Sequence, residues 1–165
     1  MSEQLEIRGA SPEDAAAIAA VLYESFVEFK SLYTDGGFAA TVLDPQQVLK
    51  RMLEGPIWIA LREGVVVGTV AAVIKGASVY IRGMAVLPSA RGSGTGAALL
   101  QRVEEWAFRG QFVHLFLSTT PFLHSAIRLY EKLGFRRKDG EVQDLFGTPL
   151  FTLEKTIQAL VRQLE

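Results

Sequence analysis

The stretch PSARGSGTGAALL, Pro88 to Leu100, constrains this chain more than any other. It follows the apolar run MAVL. It leads into Leu99, Leu100, Val103 and Ala107, which recur at helical spacing. Gly92, Gly94 and Gly96 crowd the junction. Glycine reaches left-handed backbone without steric cost and lets main-chain amides approach a ligand closely. A helix N-terminus adds unpaired N–H groups and the positive end of the helix dipole. A strand running through such a loop into a helix predicts an α/β arrangement with an anion held at the turn.

Composition narrows the classes. The 165 residues fit one domain, 1–165, and 49% apolar content supports a core of normal size. Charged residues make up 21% and the net charge is −1, so the basic footprint of a nucleic-acid binder is missing. There is no cysteine, which excludes disulfides, thiolate metal sites and a cysteine nucleophile. Only His114 and His124 remain as imidazole ligands, so no metal centre is expected. His114 reads as a packed core residue and His124 as an exposed one. The start MSEQLEIRGASPED carries no secretory pattern. The longest apolar run, 65–74, falls short of the roughly 20 residues of a membrane span. The expectation is a cytoplasmic protein with neither membrane nor nucleic acid as partner.

Along the chain, LEIR at 5–8 alternates as a short strand. SPEDAAAIAAVLYESFVEFK, 11–30, predicts a helix, with Ser11 as N-cap, Pro12 behind it and Asp14 at capping-box spacing. The segment 32–44 has no period and holds Gly36-Gly37, which predicts a mobile loop. DPQQVLKRMLEG predicts a second short helix. The stretch 56–74 predicts two strands turning at Glu63-Gly64. A strand follows at 77–87, and its interior Gly83 suggests a bulge. After the glycine loop come a helix, a strand at 111–118, and a helix capped by Thr120-Pro121 and closed by Gly134. The last strand or strands lie in DLFGTPLFTLEK. By alternation Tyr80, Arg82 and Met84 share one sheet face. Hairpins early and strand–helix–strand units late predict a mixed sheet with helices on both faces.

Three anion-binding patterns compete for the loop. A P-loop needs Lys and Ser/Thr after its last glycine, whereas Gly96 precedes Ala97-Ala98-Leu99. A dinucleotide fingerprint, Gly92-x-Gly94-x-x-Ala97, needs an acid about 20 residues on, and FVHLFLSTT has none. The third pattern, Arg91-x-x-Gly94-x-Gly96 after MAVLP, resembles the acyl-CoA diphosphate loop of the GNAT superfamily of N-acetyltransferases. AIRLYEKLGF, Ala126 to Phe135, is similar to a second motif of that superfamily and stands in the right order. The resemblance covers nearly the whole chain and is weakest at 31–56 and after 155.

The resemblance implies a fold of the GNAT type: a mixed, mostly antiparallel central sheet with helices on both faces, splayed between the strands at 77–87 and 111–118. It implies acetyl-CoA as cofactor and transfer of its acetyl group to a primary amine by direct attack. The backbone of Met84, Ala85 and Val86 would pair with the pantetheine arm. Arg91, Gly92, Ser93, Gly94, Thr95, Gly96 and Ala97 would hold the diphosphate. Tyr130 stands at the position of the general acid. A tyrosine pKa of about 10 keeps that proton available at neutral pH, although Tyr130 also lies on the apolar stripe of its helix.

The chain departs from the family at the base. Leu123 stands where many relatives have Asn, and Ser118 where some protein-acetylating members have a carboxylate. Glu24 and Glu28 are the candidate bases, because the first helix and the loop after it usually line the acceptor pocket. Phe29, Tyr33, Tyr80 and Arg82 are the candidate acceptor residues. The absence of an acid at Ser118 favours a small-molecule amine. The resemblance allows a homodimer. A non-catalytic acyl-CoA-binding module on the same fold is the competing expectation.

Overall fold

A strand apolar at five consecutive positions needs partners on both faces, and IWIAL, Ile57 to Leu61, supplies the case. Ile57, Trp58, Ile59, Ala60 and Leu61 are all buried. Trp58 and Ala60 join one core cluster; Ile57, Ile59 and Leu61 join the other. The period-2 geometry of a strand sends neighbours to opposite faces, so the sheet is covered on both sides. The computed structural model describes residues 4–140 and 142–157.

Strands β1 (Leu5–Gly9), β2 (Ile57–Arg62), β3 (Val65–Lys75), β4 (Ser78–Val86), β5 (His114–Thr119), β6 (Arg136–Arg137), β7 (Gln143–Leu145) and β8 (Thr148–Thr156) form the sheet. The order is β1-β2-β3-β4-β5-β8-β6, with β7 also paired to β8. The β4–β5 pair is parallel; every other pair is antiparallel. This is the mixed, mostly antiparallel sheet expected from the sequence. The β2–β3 turn is the expected two-residue hairpin, with Glu63 and Gly64 both at positive φ.

Helices α1 (Ala15–Phe26), α2 (Asp35–Thr41) and α3 (Pro45–Met52) precede β2, and α4 (Thr95–Arg109) and α5 (His124–Lys132) follow β4 and β5. Helix α1 packs through Ile18, Val21 and Leu22 into one cluster with Val48 of α3. Helix α4 packs through Leu99, Leu100, Val103 and Ala107 into the other, each at most 1% exposed. Burial of each larger side chain stabilises the docked helix by roughly 1.5–3 kcal/mol. None of the helices among the described residues is long and apolar enough to cross a membrane.

Several local expectations are corrected. The first helix opens with a 3-10 turn, Pro12–Asp14, and changes to 3-10 geometry again over Val27–Leu32. Asp14 does reach back, accepting from the Ser11 amide at 2.8 Å, and Arg8 holds it with bonds of 2.9 and 3.1 Å. The segment read as a loop contains α2. Its glycines lower helix propensity, but they are there for space. A Cβ on Gly36 would lie 2.8 Å from Phe146 Cβ, and one on Gly37 would lie 2.3 Å from Thr148 Oγ1. Thr34 caps α2 through Gly37 N–H at 3.0 Å and donates to the Phe146 carbonyl at 2.7 Å. The β7–β8 hairpin, remote in sequence, is what holds α2 in place.

Helix α5 starts at His124 rather than at Pro121. Thr120 begins a turn instead of capping, its carbonyl accepting from the Leu123 amide at 3.3 Å. His114 is a half-buried residue at the start of β5, bonded to Ser78 Oγ at 2.7 Å and to Glu154 at 3.1 Å, and not a core residue. His124 is exposed, as expected.

Candidate active site

The site is built where β4 and β5 part. They pair from Ser78↔His114 to Ile81↔Leu117 and no further. Beyond that point β5 continues against β8 while β4 continues against β3. The edge of β4 that faces the gap, from Arg82 onward, has no strand partner among the described residues. An unpaired strand edge is a template for another extended chain. The gap widens into a cleft of about 860 Å³.

Gly83 produces a bulge at the mouth of this gap. Thr69 faces Ala85 and Ala71 faces Arg82, so Val70 alone opposes both Gly83 and Met84. Gly83 has φ +62, the left-handed backbone used in one class of bulge. The extra residue also reverses the strand's facing. Val79 and Ile81 enter the α4-side core, yet Ala85 enters the α1-side core. Simple alternation therefore fails for Met84, which packs on the α4-side core while Arg82 reaches Glu54.

The loop after β4 uses its glycines in two ways. Gly92 and Gly94 adopt φ +78 and +85, and nothing crowds either one; backbone conformation alone calls for glycine. Gly94 is the N-cap of α4. Gly96 has ordinary φ but no room, since a Cβ there would lie 2.7 Å from Leu129 Cδ2 and 3.0 Å from Met84 Cε. Left-handed residues just before a helix gather successive N–H groups into an anion-binding concavity.

Of the residues singled out in the sequence, Met84, Ala85, Val86, Arg91, Gly92, Gly94, Thr95, Gly96 and Ala97 line the cleft. Ser93 does not; its hydroxyl turns back to the Ala90 carbonyl and to Thr95 Oγ1. Arg91 is committed within the protein. Nε donates to Val86 O at 3.3 Å, one Nη to Ser25 O at 2.9 Å, and the other to Glu28 at 2.5 Å. It ties the end of α1 to the end of β4.

Tyr130 projects from the last turn of α5, 6% exposed, and borders the cleft. Burial, with a smaller effect of Tyr33, pushes its phenol pKa up, so the hydroxyl keeps its proton. Phe29, Tyr33, Tyr80 and Arg82 all line the same cleft. Tyr33 meets Phe122 edge to face at 4.8 Å, and Tyr80 stacks on Phe116 at 5.0 Å.

The structure does not bring Glu24 or Glu28 into the cleft. Glu24 is exposed on α1, and Glu28 pairs with Arg91 outside it. Arg51, Arg82, Arg91, Arg128 and Lys132 line the cleft, and among the described residues no Asp, Glu or His does. Arg51 was missed from the sequence. It lies one helical turn after Val48, which is 1% exposed, and that spacing was the available signal. Ser25, Thr41, Leu145 and Leu150 also line the site and carry no sequence signature.

The acetyltransferase (GNAT) family model matches residues 20–135, a span that contains both the glycine loop and the Tyr130 helix. The chain belongs to the GNAT family. N-acetylaspartate synthetase of Danio rerio is 35% identical over 114 residues, 68% of this chain and 40% of that protein. This GNAT chain thus spans about 40% of the length of that relative. An uncharacterized N-acetyltransferase of Escherichia coli, YjgM, is 36% identical over 135 residues, 77% of this chain and 79% of its own. Among solved structures, PaiA N-acetyltransferase of Thermoplasma acidophilum in complex with coenzyme A superimposes with a TM-score of 0.77. It is 18% identical and covers 93% of this chain and 99% of its own, a likeness of GNAT fold.

Proposed function

We propose that this protein is an acetyl-CoA-dependent N-acetyltransferase that acetylates a primary amine of a small molecule by direct attack in a ternary complex. The observation that carries the reading is one continuous cleft. It joins the unpaired edge of β4, the left-handed glycines at the start of α4 and the buried hydroxyl-bearing Tyr130. That set fits an acyl-CoA: an extended amide-bearing arm, a diphosphate and a sulfur that must leave. The name of the Danio rerio relative, N-acetylaspartate synthetase, supports a small amine, because its product is an acetylated small amino acid.

In this reading the main-chain groups of Met84, Ala85 and Val86 bind the pantetheine arm as an added strand. The amides from Gly92 to Ala97 hold the diphosphate, with the α4 dipole behind them. Arg91 positions the wall through Glu28 and Ser25 and leaves the diphosphate to the backbone. Acetyl-CoA supplies an activated acyl group: the amine lone pair forms the N–C bond, the C–S bond breaks and sulfur keeps its electron pair. Tyr130 gives that sulfur a proton and regains one from the acylated nitrogen through water. An amide at the bulge of Gly83 and Met84 is the donor for the oxyanion. Among the described residues no carboxylate or imidazole lines the cleft to take the proton, so the amine arrives as its free base.

The test is a steady-state assay of CoA thiol release over a panel of primary amines, with both substrates varied. Transfer with intersecting initial-velocity lines is expected. Parallel lines would require an acyl-enzyme instead. Acetyl-CoA binding with no amine raising thiol release above hydrolysis would favour the non-catalytic binding module.

A further inference from the structure

We propose that the acceptor is an amino acid-like molecule whose carboxylate, a few bonds from the amine, is held by Arg51 with help from Arg82. The proposal rests on the acetyl-transfer reading above and names the substrate class of that site.

The two arginines sit at the acceptor end, on different elements. Arg51 comes from α3 and lies over the bulge, Nη1 2.8 Å from where a Cβ on Gly83 would stand. It is half-buried, and among the described residues it makes no hydrogen bond or ion pair. Burial, and then the neighbouring Arg82, push its pKa down to about 10. A guanidinium carries five donors, and those of Arg51 open onto the cleft rather than onto a protein acceptor. That leaves the fork free to receive an anionic group of a ligand in the cleft.

Arg82 has capacity to spare. It pairs with exposed Glu54, but its Nε is buried and has no acceptor. Glu54 is the acid whose charge reaches this cluster, and Arg82, Arg51 and Lys75 all act on it. Positive charge is therefore in excess. A simple ammonium entering here would meet two guanidinium cations and a single carboxylate, Glu54, already paired with Arg82. A carboxylate on the same molecule reverses that balance, and planar carboxylates match the guanidinium fork. Any anion bound here faces Glu54, and a singly charged carboxylate is repelled by it less than a phosphate dianion.

The same cations help with the missing base. A positive charge near an amine lowers its pKa and favours the free base that attacks. Because Arg51 lies on the bulge assigned to the oxyanion, the carboxylate it holds must be close to the nitrogen. That distance favours α- or β-amino acids over long-chain amines.

The experiment compares amino acids with their carboxamides and with O-phosphoethanolamine. Transfer is read by CoA thiol release, and binding to the CoA-loaded protein by calorimetry. Amino acids should exceed their carboxamides in both, by about 10- to 100-fold in kcat/KM. Arg51→Gln should erase that preference while leaving acetyl-CoA affinity unchanged, and Arg51→Lys should restore part of it. Arg82→Gln should show a smaller loss. Equal handling of amino acids and carboxamides, or a preference for O-phosphoethanolamine, overturns the proposal while acetyl transfer itself survives. If no amine is acetylated, the transfer reading fails. The binding comparison then still decides: carboxylate-selective binding lost in Arg51→Gln supports the site, and its absence ends it.

Discussion

The amide of Phe135 donates to the carbonyl of Tyr130 over 3.0 Å, and the two rings meet edge to face with centroids 6.0 Å apart. Gly134, at φ +98, donates to Glu131 at 3.1 Å and completes the motif that ends α5. The motif places the glycine in left-handed backbone so that an apolar residue can fold back onto the last turn. Here the residue it folds back onto is Tyr130. The helix stop and the position of the proposed acid are thus one local structure.

Tyr130→Phe keeps the ring, the Phe135 contact and the helix stop. Turnover should fall by about 10²–10⁴-fold, while acetyl-CoA affinity by calorimetry stays close to wild type. Undiminished turnover would make Tyr130 a core residue only.

Gly94→Asp sets a left-handed backbone against an L side chain, costing roughly 1–2 kcal/mol of stability, and brings a carboxylate to the diphosphate amides. Nothing lies within 4 Å of the added Cβ, so the fold should survive. Affinity should drop much more for CoA than for acetyl-pantetheine, which lacks the diphosphate. Parallel losses for the two ligands would mean that the loop has merely deformed.

Gly96→Val addresses the other kind of glycine. Its side chain would drive into Leu129 and Met84 and push α4 from β4 and α5. Overpacking of this sort costs typically about 1–3 kcal/mol, read as a lower urea midpoint at unchanged slope. An unaltered midpoint would show that the interface yields freely.

With no Asp, Glu or His lining the cleft among the described residues, the rising limb of kcat/KM against pH should follow the acceptor's own amine. Exchanging one acceptor for another of lower amine pKa should move the midpoint down with it. A midpoint indifferent to the acceptor would reveal a titrating group of the protein.

Burial raises the pKa of both Tyr33 and Tyr130 above the ordinary phenol value, Tyr33 partly offset by the Thr120 and Thr41 hydroxyls. A raised folded-state pKa gives stability that is complete below the unfolded pKa and lost as pH climbs through the folded one. Urea midpoints should therefore hold up to about pH 10 and fall progressively above it. The double variant Tyr33→Phe, Tyr130→Phe should flatten that fall; an equally steep decline would place its origin elsewhere.

Much of the site was legible because its parts are local. The loop announces itself through left-handed glycines ahead of a helix. Gly83 announces a bulge by interrupting a strand, and AIRLYEKLGF contains its own stop. These features depend on φ preferences and hydrogen bonds within a few residues. Arg51 carried a fainter signal, one turn from a buried valine, in the stretch least like the family. Glu28 shows the opposite failure. Its helix position suggested a base, but Arg91, 63 residues away, claims the carboxylate.

The amino-acid sequence by itself determined the glycine loop, the hairpin at Glu63-Gly64 and the stop of α5, since each follows from short-range backbone rules. Only the tertiary structure decided that Gly36-Gly37 belongs to a helix, that Met84 leaves the face of Arg82, and that Arg51 turns inward over the bulge. Those outcomes depend on which distant segment fills the space beside each residue. Packing across the sheet sets that, and no local propensity encodes it.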